Sequence, residues 1–113
     1  MSRSQITMDD EPISQDPADW LHNPHAGEML SSEFLEPLGL ADADIADLVG
    51  VEAGRITDVV AGRKPIDAEL DMRLARYFGM SAGFFLGLQS AHDLLEVRRA
   101  MGSELDRIVP RAA

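Results

Sequence analysis

Residues 42–61 read DADIADLVGVEAGRITDVVA, and this stretch decides the fold. Its apolar residues recur at helical spacing: Ile45, Leu48 and Val49 in the first half, Ile56, Val59 and Val60 in the second. Only Gly50 and Val51 separate the halves. The spacing predicts helices over 42–49 and 52–61, joined by a very short turn. That is the geometry of a helix-turn-helix, whose second helix lies in the major groove of DNA. Ala46 is small enough to let the two helices cross closely. Gly50 permits the positive φ that so tight a turn wants. Ile56 and Val59 pin the reading helix to the core. Asp42 and Asp44 suit the positive N-terminal dipole of the first helix.

Outward from this pair the helical period continues. A helix over 27–36 places Leu30, Phe34 and Leu38 in one row and is stopped by Pro37 and Gly39. After the basic loop Arg63-Lys64-Pro65, Asp67 can cap a fourth helix with Leu70, Leu74, Tyr77 and Phe78 on its inner face, closed by Gly79. Ser81 can cap a fifth, carrying Phe84, Phe85, Leu88 and Leu95 and running to Arg99. Gly102 breaks the pattern, and Ser103 can start one short turn beyond it. No β-period of four residues and no internal repeat occurs. The expectation is an all-α, five-helix domain over 25–99. It is flanked by an acidic, flexible tail over 1–24 and a C-terminal tail or short helix over 100–113. Trp20 and Leu21 form the only bulky pair in the first tail, and a tryptophan there is expected to dock, because leaving it wet wastes apolar surface.

The chain has 113 residues, no cysteine and a net charge of −10. Disulfides and thiolate metal sites are thereby excluded, in keeping with a reducing compartment. No run approaches the roughly 18 apolar residues of a membrane span, and the polar, acidic N-terminus lacks the apolar region of a secretory signal. A cytoplasmic location without membrane contact is expected. Residues 1–52 hold one basic side chain, Arg3, against twelve acidic ones, whereas residues 53–113 hold nine against eight. DNA contact therefore has to come from the second half. The acidic first half either attracts a basic partner protein or keeps the surface soluble. No Ser/His/Asp arrangement, no phosphate-binding glycine loop and no calcium-loop spacing is present, so neither enzyme activity nor a cofactor is expected.

Two further blocks carry a family resemblance. His25-Ala26-Gly27-Glu28-Met29-Leu30 with Glu33-Phe34-Leu35-Glu36-Pro37-Leu38-Gly39-Leu40 resembles the opening of the HigA-type antitoxins, also called VapI or addiction-module antidotes, within the XRE (Cro/repressor-like) helix-turn-helix class. Arg73-Leu74-Ala75-Arg76-Tyr77-Phe78-Gly79, then Phe84-Phe85-Leu86 and Leu88-Gln89-Ser90-Ala91-His92-Asp93-Leu94, resembles that family's closing half. The resemblance spans about residues 25–95. It implies a lambda-repressor-like five-helix domain and a homodimer. It also implies an antitoxin that binds a HigB-type toxin, a small basic RelE-like ribonuclease, and represses its own operon through double-stranded operator DNA. A stand-alone XRE regulator without a toxin is the alternative.

The chain departs from the family at Asp42, where a polar amide usually touches a phosphate. A carboxylate about 4 Å from a phosphate is opposed by roughly 1–4 kcal/mol. Glu52, Ala53 and Gly54 stand where a basic residue and a serine are usual. Glutamate can accept from cytosine, while Ala53 and Gly54 read only shape or a thymine methyl. The candidate DNA-contacting residues are Glu52, Ala53, Arg55, Thr57, Asp58, Arg63 and Lys64, with Arg73 and Arg76 as extras. Each has a plain alternative. Arg55 can instead pair with Asp58 or Glu52, Arg63 and Lys64 can form a solvated loop, and Arg73 and Arg76 can pair with Glu69 or Asp71. His22 and His25 near Asp19 and Glu28 are a weak metal candidate, and His25 falls where the family has a histidine that caps or packs the first helix. His92 faces the core or a dimer seam. Phe84, Phe85 and Leu88 are candidates for a two-fold interface or simply for the core.

Overall fold

A computed structural model describes residue 16 and residues 20–112. The predicted tail over 1–24 lies mostly outside these residues, as does Asp19. Among the described residues every regular element is helical. The first helix, α1, is composite: α-helical over Ala26–Met29, π-helical over Leu30–Leu35, and α-helical again over Glu36–Leu38. Then come α2 (Asp42–Val49), α3 (Ala53–Val60), α4 (Ala68–Phe78) and α5 (Phe84–Met101), with a 3₁₀ turn over Glu104–Arg107. This is the predicted all-α, five-helix domain. Helix α5 runs to Met101, where Gly102 ends it.

The start of α1 is set by a capping box. The Glu28 N–H donates to His25 Nδ1 at 3.2 Å, and the Glu28 carboxylate accepts from the His25 N–H at 3.0 Å. The second of these, with the bond from His22, holds the Glu28 carboxyl below its ordinary range. The π stretch then changes which residues face inward. A π turn takes five residues where an α turn takes four. Leu35, five after Leu30, is therefore buried, and Leu38 is 60% exposed, contrary to the predicted row. Pro37 supplies a physical reason for the wide turn: it has no N–H to donate, and its ring crowds the carbonyl four residues back. The Glu36 N–H accordingly reaches Ser31 O, five residues back.

In α2 the inner face is Ile45, Ala46 and Val49. Leu48 was expected inside but is 54% exposed, because it sits about 100° around the helix from that face. Tyr77 of α4, also expected inside, is 43% exposed on the flank of the Leu70–Leu74 face for the same reason. Leu30, Leu35, Ile45, Ile56, Leu70, Leu74 and Phe85 fill the centre. Each such side chain contributes about 1.5–3 kcal/mol on burial. Phe34, Phe78 and Phe85 meet edge-on or tilted at 5.0–6.2 Å beneath the core.

The start of α5 departs from expectation in its chemistry. Ser81 does not cap it. The capping group is the carboxylate of Asp71 on α4, only 1% exposed, which accepts the N–H groups of Gly83 at 2.6 Å, Phe85 at 2.8 Å and Leu86 at 3.0 Å. Asp71 is thus not the surface ion-pair partner expected for Arg73 or Arg76. The carboxylate sits at the positive end of α5 and fixes the angle between α4 and α5.

Candidate nucleic-acid interface

Helices α2 and α3 pack on each other through the Gly50-Val51 turn. Gly50 has φ +78°, and the Val51 N–H returns to Ala46 O at 2.9 Å, which closes α2 in a Schellman-type turn. Asp44 caps the front of α2 by accepting the Ala41 N–H at 2.8 Å. Gly27 of α1 lies directly against the Val59 carbonyl of α3. A Cβ there would sit 1.8 Å from that oxygen, so only glycine allows the approach. These contacts turn the outer side of α3, with Ala53, Gly54, Thr57 and Ala61, to solvent. Glu52 is the exposed residue before the helix.

The three cations expected to meet DNA all have carboxylate partners in the chain. Arg55 donates through Nη2 to both oxygens of Asp67, at 2.6 and 2.7 Å, and through Nη1 to Glu69 at 3.4 Å. Its partners are therefore not the sequence neighbours Asp58 and Glu52. Asp67 also receives the Leu70 N–H at 2.9 Å as the N-cap of α4. That bond, with the Arg55 guanidinium beside it, holds the Asp67 carboxyl below its ordinary range. Arg73 donates to Glu69 at 3.2 Å and to the Val49 carbonyl at 2.8 Å. One chain of charge-assisted bonds thus ties the end of α2, the start of α3 and the start of α4 together. Arg73 thus makes the ion pair expected for it with Glu69 and also caps the C-terminus of α2 through the Val49 carbonyl.

Past α3, Gly62 turns the chain, and the Arg63 N–H bonds back to Asp58 O at 2.8 Å. This brings Arg63 Nε to 3.0 Å and Lys64 Nζ to 3.8 Å from the Asp58 carboxylate. Both side chains remain widely exposed, at 60% and 70%. Thr57 donates either to Asp42 at 3.2 Å or to Ala53 O at 3.1 Å, so Asp42 faces the reading helix. The candidate residues do fall on one surface, made of α3 and the loop after it. The partners that hold Arg55 lie 12 and 14 residues away, and no local pattern reveals them.

The histidines behave as structural groups. His25 caps α1 and meets His92 edge-on at 6.0 Å. His92 Nδ1 lies 3.1 Å from Asn23 O, and Asn23 Nδ2 donates to His92 O at 3.0 Å, so residues just before α1 are strapped to α5. Trp20 docks with its ring under the Arg99 guanidinium at 5.2 Å. Among the described residues no group of three or more metal-ligating side chains occurs. No described helix is long and apolar enough to cross a membrane. Of the dimer candidates, Phe85 is fully buried inside the protomer, Phe84 is 36% exposed and Leu88 is half-buried.

No family model matches the chain. Individual relatives do. It is 40% identical over 70 residues to virulence-associated protein I of Dichelobacter nodosus, a match covering 62% of this chain and 65%, just under two thirds, of that protein. It is 36% identical over 84 residues to YbaQ of Escherichia coli, an uncharacterised HTH-type transcriptional regulator, covering 73% of this chain and 74% of the relative. It is 32% identical over 84 residues to antitoxin HigA-1 of Vibrio cholerae, covering 74% of this chain and 79% of the relative. Among solved structures, Pseudomonas aeruginosa antitoxin HigA with the higBA promoter superposes with a TM-score of 0.71 at 32% identity, over 81% of this chain and all of that one. A second Pseudomonas aeruginosa protein, in complex with its 18-bp operator DNA, superposes with a TM-score of 0.75 at 33% identity, over 81% and 100%.

Proposed function

The chain belongs to the HigA-like, VapI-related antitoxins of the XRE helix-turn-helix class, and from that premise we propose that it is an autorepressing antitoxin. As such it binds its own operator as a homodimer in the cytoplasm and neutralises a HigB-type, RelE-like ribonuclease by direct contact. The observation that carries the DNA half is the surface formed by α3 and the loop after it. It presents Arg55, Arg63 and Lys64 beside the exposed residues Ala53, Gly54 and Thr57, on a fold shared with operator-bound relatives. The acidic excess of residues 1–52 supports a basic protein partner.

Titration against the duplex upstream of its own gene, across salt concentrations, tests the DNA half. Tight, sequence-dependent binding is expected. Arg63→Ala with Lys64→Ala removes about four phosphate contacts from a dimer, which makes the log–log salt slope shallower by about 3–4. Equal affinity for the operator and a scrambled duplex at every salt concentration rejects specific repression. The toxin half is tested by co-expression with a short neighbouring gene for a basic protein. Recovery of a stable complex is the expected result. If operator binding persists but no neighbour co-purifies, the stand-alone regulator suggested by the name of the Escherichia coli relative is the better reading.

A further inference from the structure

We propose that Asp67 and Glu69 are built-in competitors for DNA phosphate, so that Arg55 engages DNA only by exchanging carboxylates for a phosphate. This rests on the DNA-binding reading above and adds how that surface is regulated. Arg55 is held in a two-oxygen grip by Asp67 and a third contact by Glu69. Together the two carboxylates occupy Nη1 and Nη2, the guanidinium nitrogens through which arginine also grips a phosphate. The grip is open to solvent: the Arg55 side chain is 30% exposed, Asp67 62% and Glu69 61%. Rotation of side chains alone therefore releases Arg55, with no change in the backbone. Asp58 stands in the same relation to Arg63 and Lys64. Three cations thus meet three carboxylates on the surface that faces DNA.

The consequence is selective. A free surface cation displaces condensed counterions from any duplex, and that release drives non-specific binding. A cation already paired with a carboxylate yields a smaller gain, because the carboxylate it leaves must then be neutralised by ions from solution. Non-specific affinity falls, and only a site whose geometry rewards the exchange is held. In this chain the clamp would act as a brake on binding to random DNA.

The test uses the full chain carrying Asp67→Asn and Glu69→Gln. Asparagine is as good an N-cap as aspartate, so α4 keeps its first turn while Arg55 loses the charge that holds it. Binding to the operator and to a scrambled duplex is measured across salt concentrations. The scrambled duplex is expected to bind about 10-fold tighter at low salt, with a slope steeper by about 2 for a dimer. The operator is expected to gain less, so the ratio between the two falls. Adding Arg55→Ala to the double variant should abolish the gain, which separates the clamp from a general change of net charge. Should the melting temperature of the double variant fall, Asp58→Asn probes the same exchange at Arg63 and Lys64 without touching a cap.

Normal operator binding by the wild type, with the scrambled duplex unmoved in the double variant and in Asp58→Asn, overturns the clamp and leaves the DNA-binding reading intact. A loss of operator affinity in a stably folded double variant also overturns it, since the carboxylates would then be positioning Arg55 for DNA. Failure of wild type and variants alike to bind any duplex overturns both readings. Binding by the variants alone supports the clamp.

Discussion

Asp71→Ala is expected to lower the unfolding free energy by about 3–5 kcal/mol. The carboxylate is 1% exposed and accepts three N–H groups at the start of α5, from Gly83, Phe85 and Leu86. Hydrogen bonds to a charged group contribute about 1.5–3 kcal/mol each, and a buried donor left unpaired costs about 1–3 kcal/mol. These values do not add fully, because water can reach the part-buried Gly83 and Leu86 amides once the side chain is shortened. The Phe85 amide is buried and stays unsatisfied. Asp71→Asn keeps one acceptor oxygen and should recover roughly half the loss. Urea denaturation followed by helical circular dichroism measures both variants. A loss below about 1 kcal/mol for the alanine variant would show that solvent replaces the carboxylate.

Gly27→Ala is expected to cost about 3 kcal/mol or more, whereas the same change at Gly54 should be neutral or stabilise by about 0.5–1 kcal/mol. The difference lies in what the added methyl meets. At Gly27 it lands 1.8 Å from the Val59 carbonyl oxygen and 2.6 Å from its carbon, both backbone atoms of the reading helix. Neither atom can rotate away, so α1 and α3 must separate by more than 1 Å. At Gly54 nothing lies within 4 Å, and the residue is inside α3, where alanine is the better helix former. The Gly27 variant should also lose operator affinity at temperatures where it is still folded, because the shift moves α3 and the loop bonded to it relative to α1 and α2. Retention of both stability and affinity within about 1 kcal/mol would show that the α1–α3 contact is slack.

How far the sequence could be read differs residue by residue. The helix bounds at α2 were legible because Asp44, the Ile45–Val49 spacing and Gly50 are local signals that agree with one another. Asp67 as a cap was legible for the same reason. Leu48 and Tyr77 were misplaced because a helical face has an edge, and the partner helices decide where that edge falls. Leu38 was misplaced because the π turn before Pro37 alters the period that the row assumed.

The site divides along the same line. Composition and spacing placed Arg55, Arg63 and Lys64 on the helix-turn-helix and its following loop, since chain position alone puts them there. Their electrical state was not legible: Arg55 is paired across 12 and 14 residues, and Asp71 caps a helix that starts 13 residues later. The sequence by itself determined five helices, their order and the turn at Gly50, because caps, stops and apolar periods act over one or two turns of chain. Only the tertiary structure decided which carboxylate each cation meets and which buried acid holds α5, because those choices depend on how α3, α4 and α5 are set against one another. The stretch over 42–61 therefore specified a reading helix, and the packing around it decided that its arginine is held by its own chain.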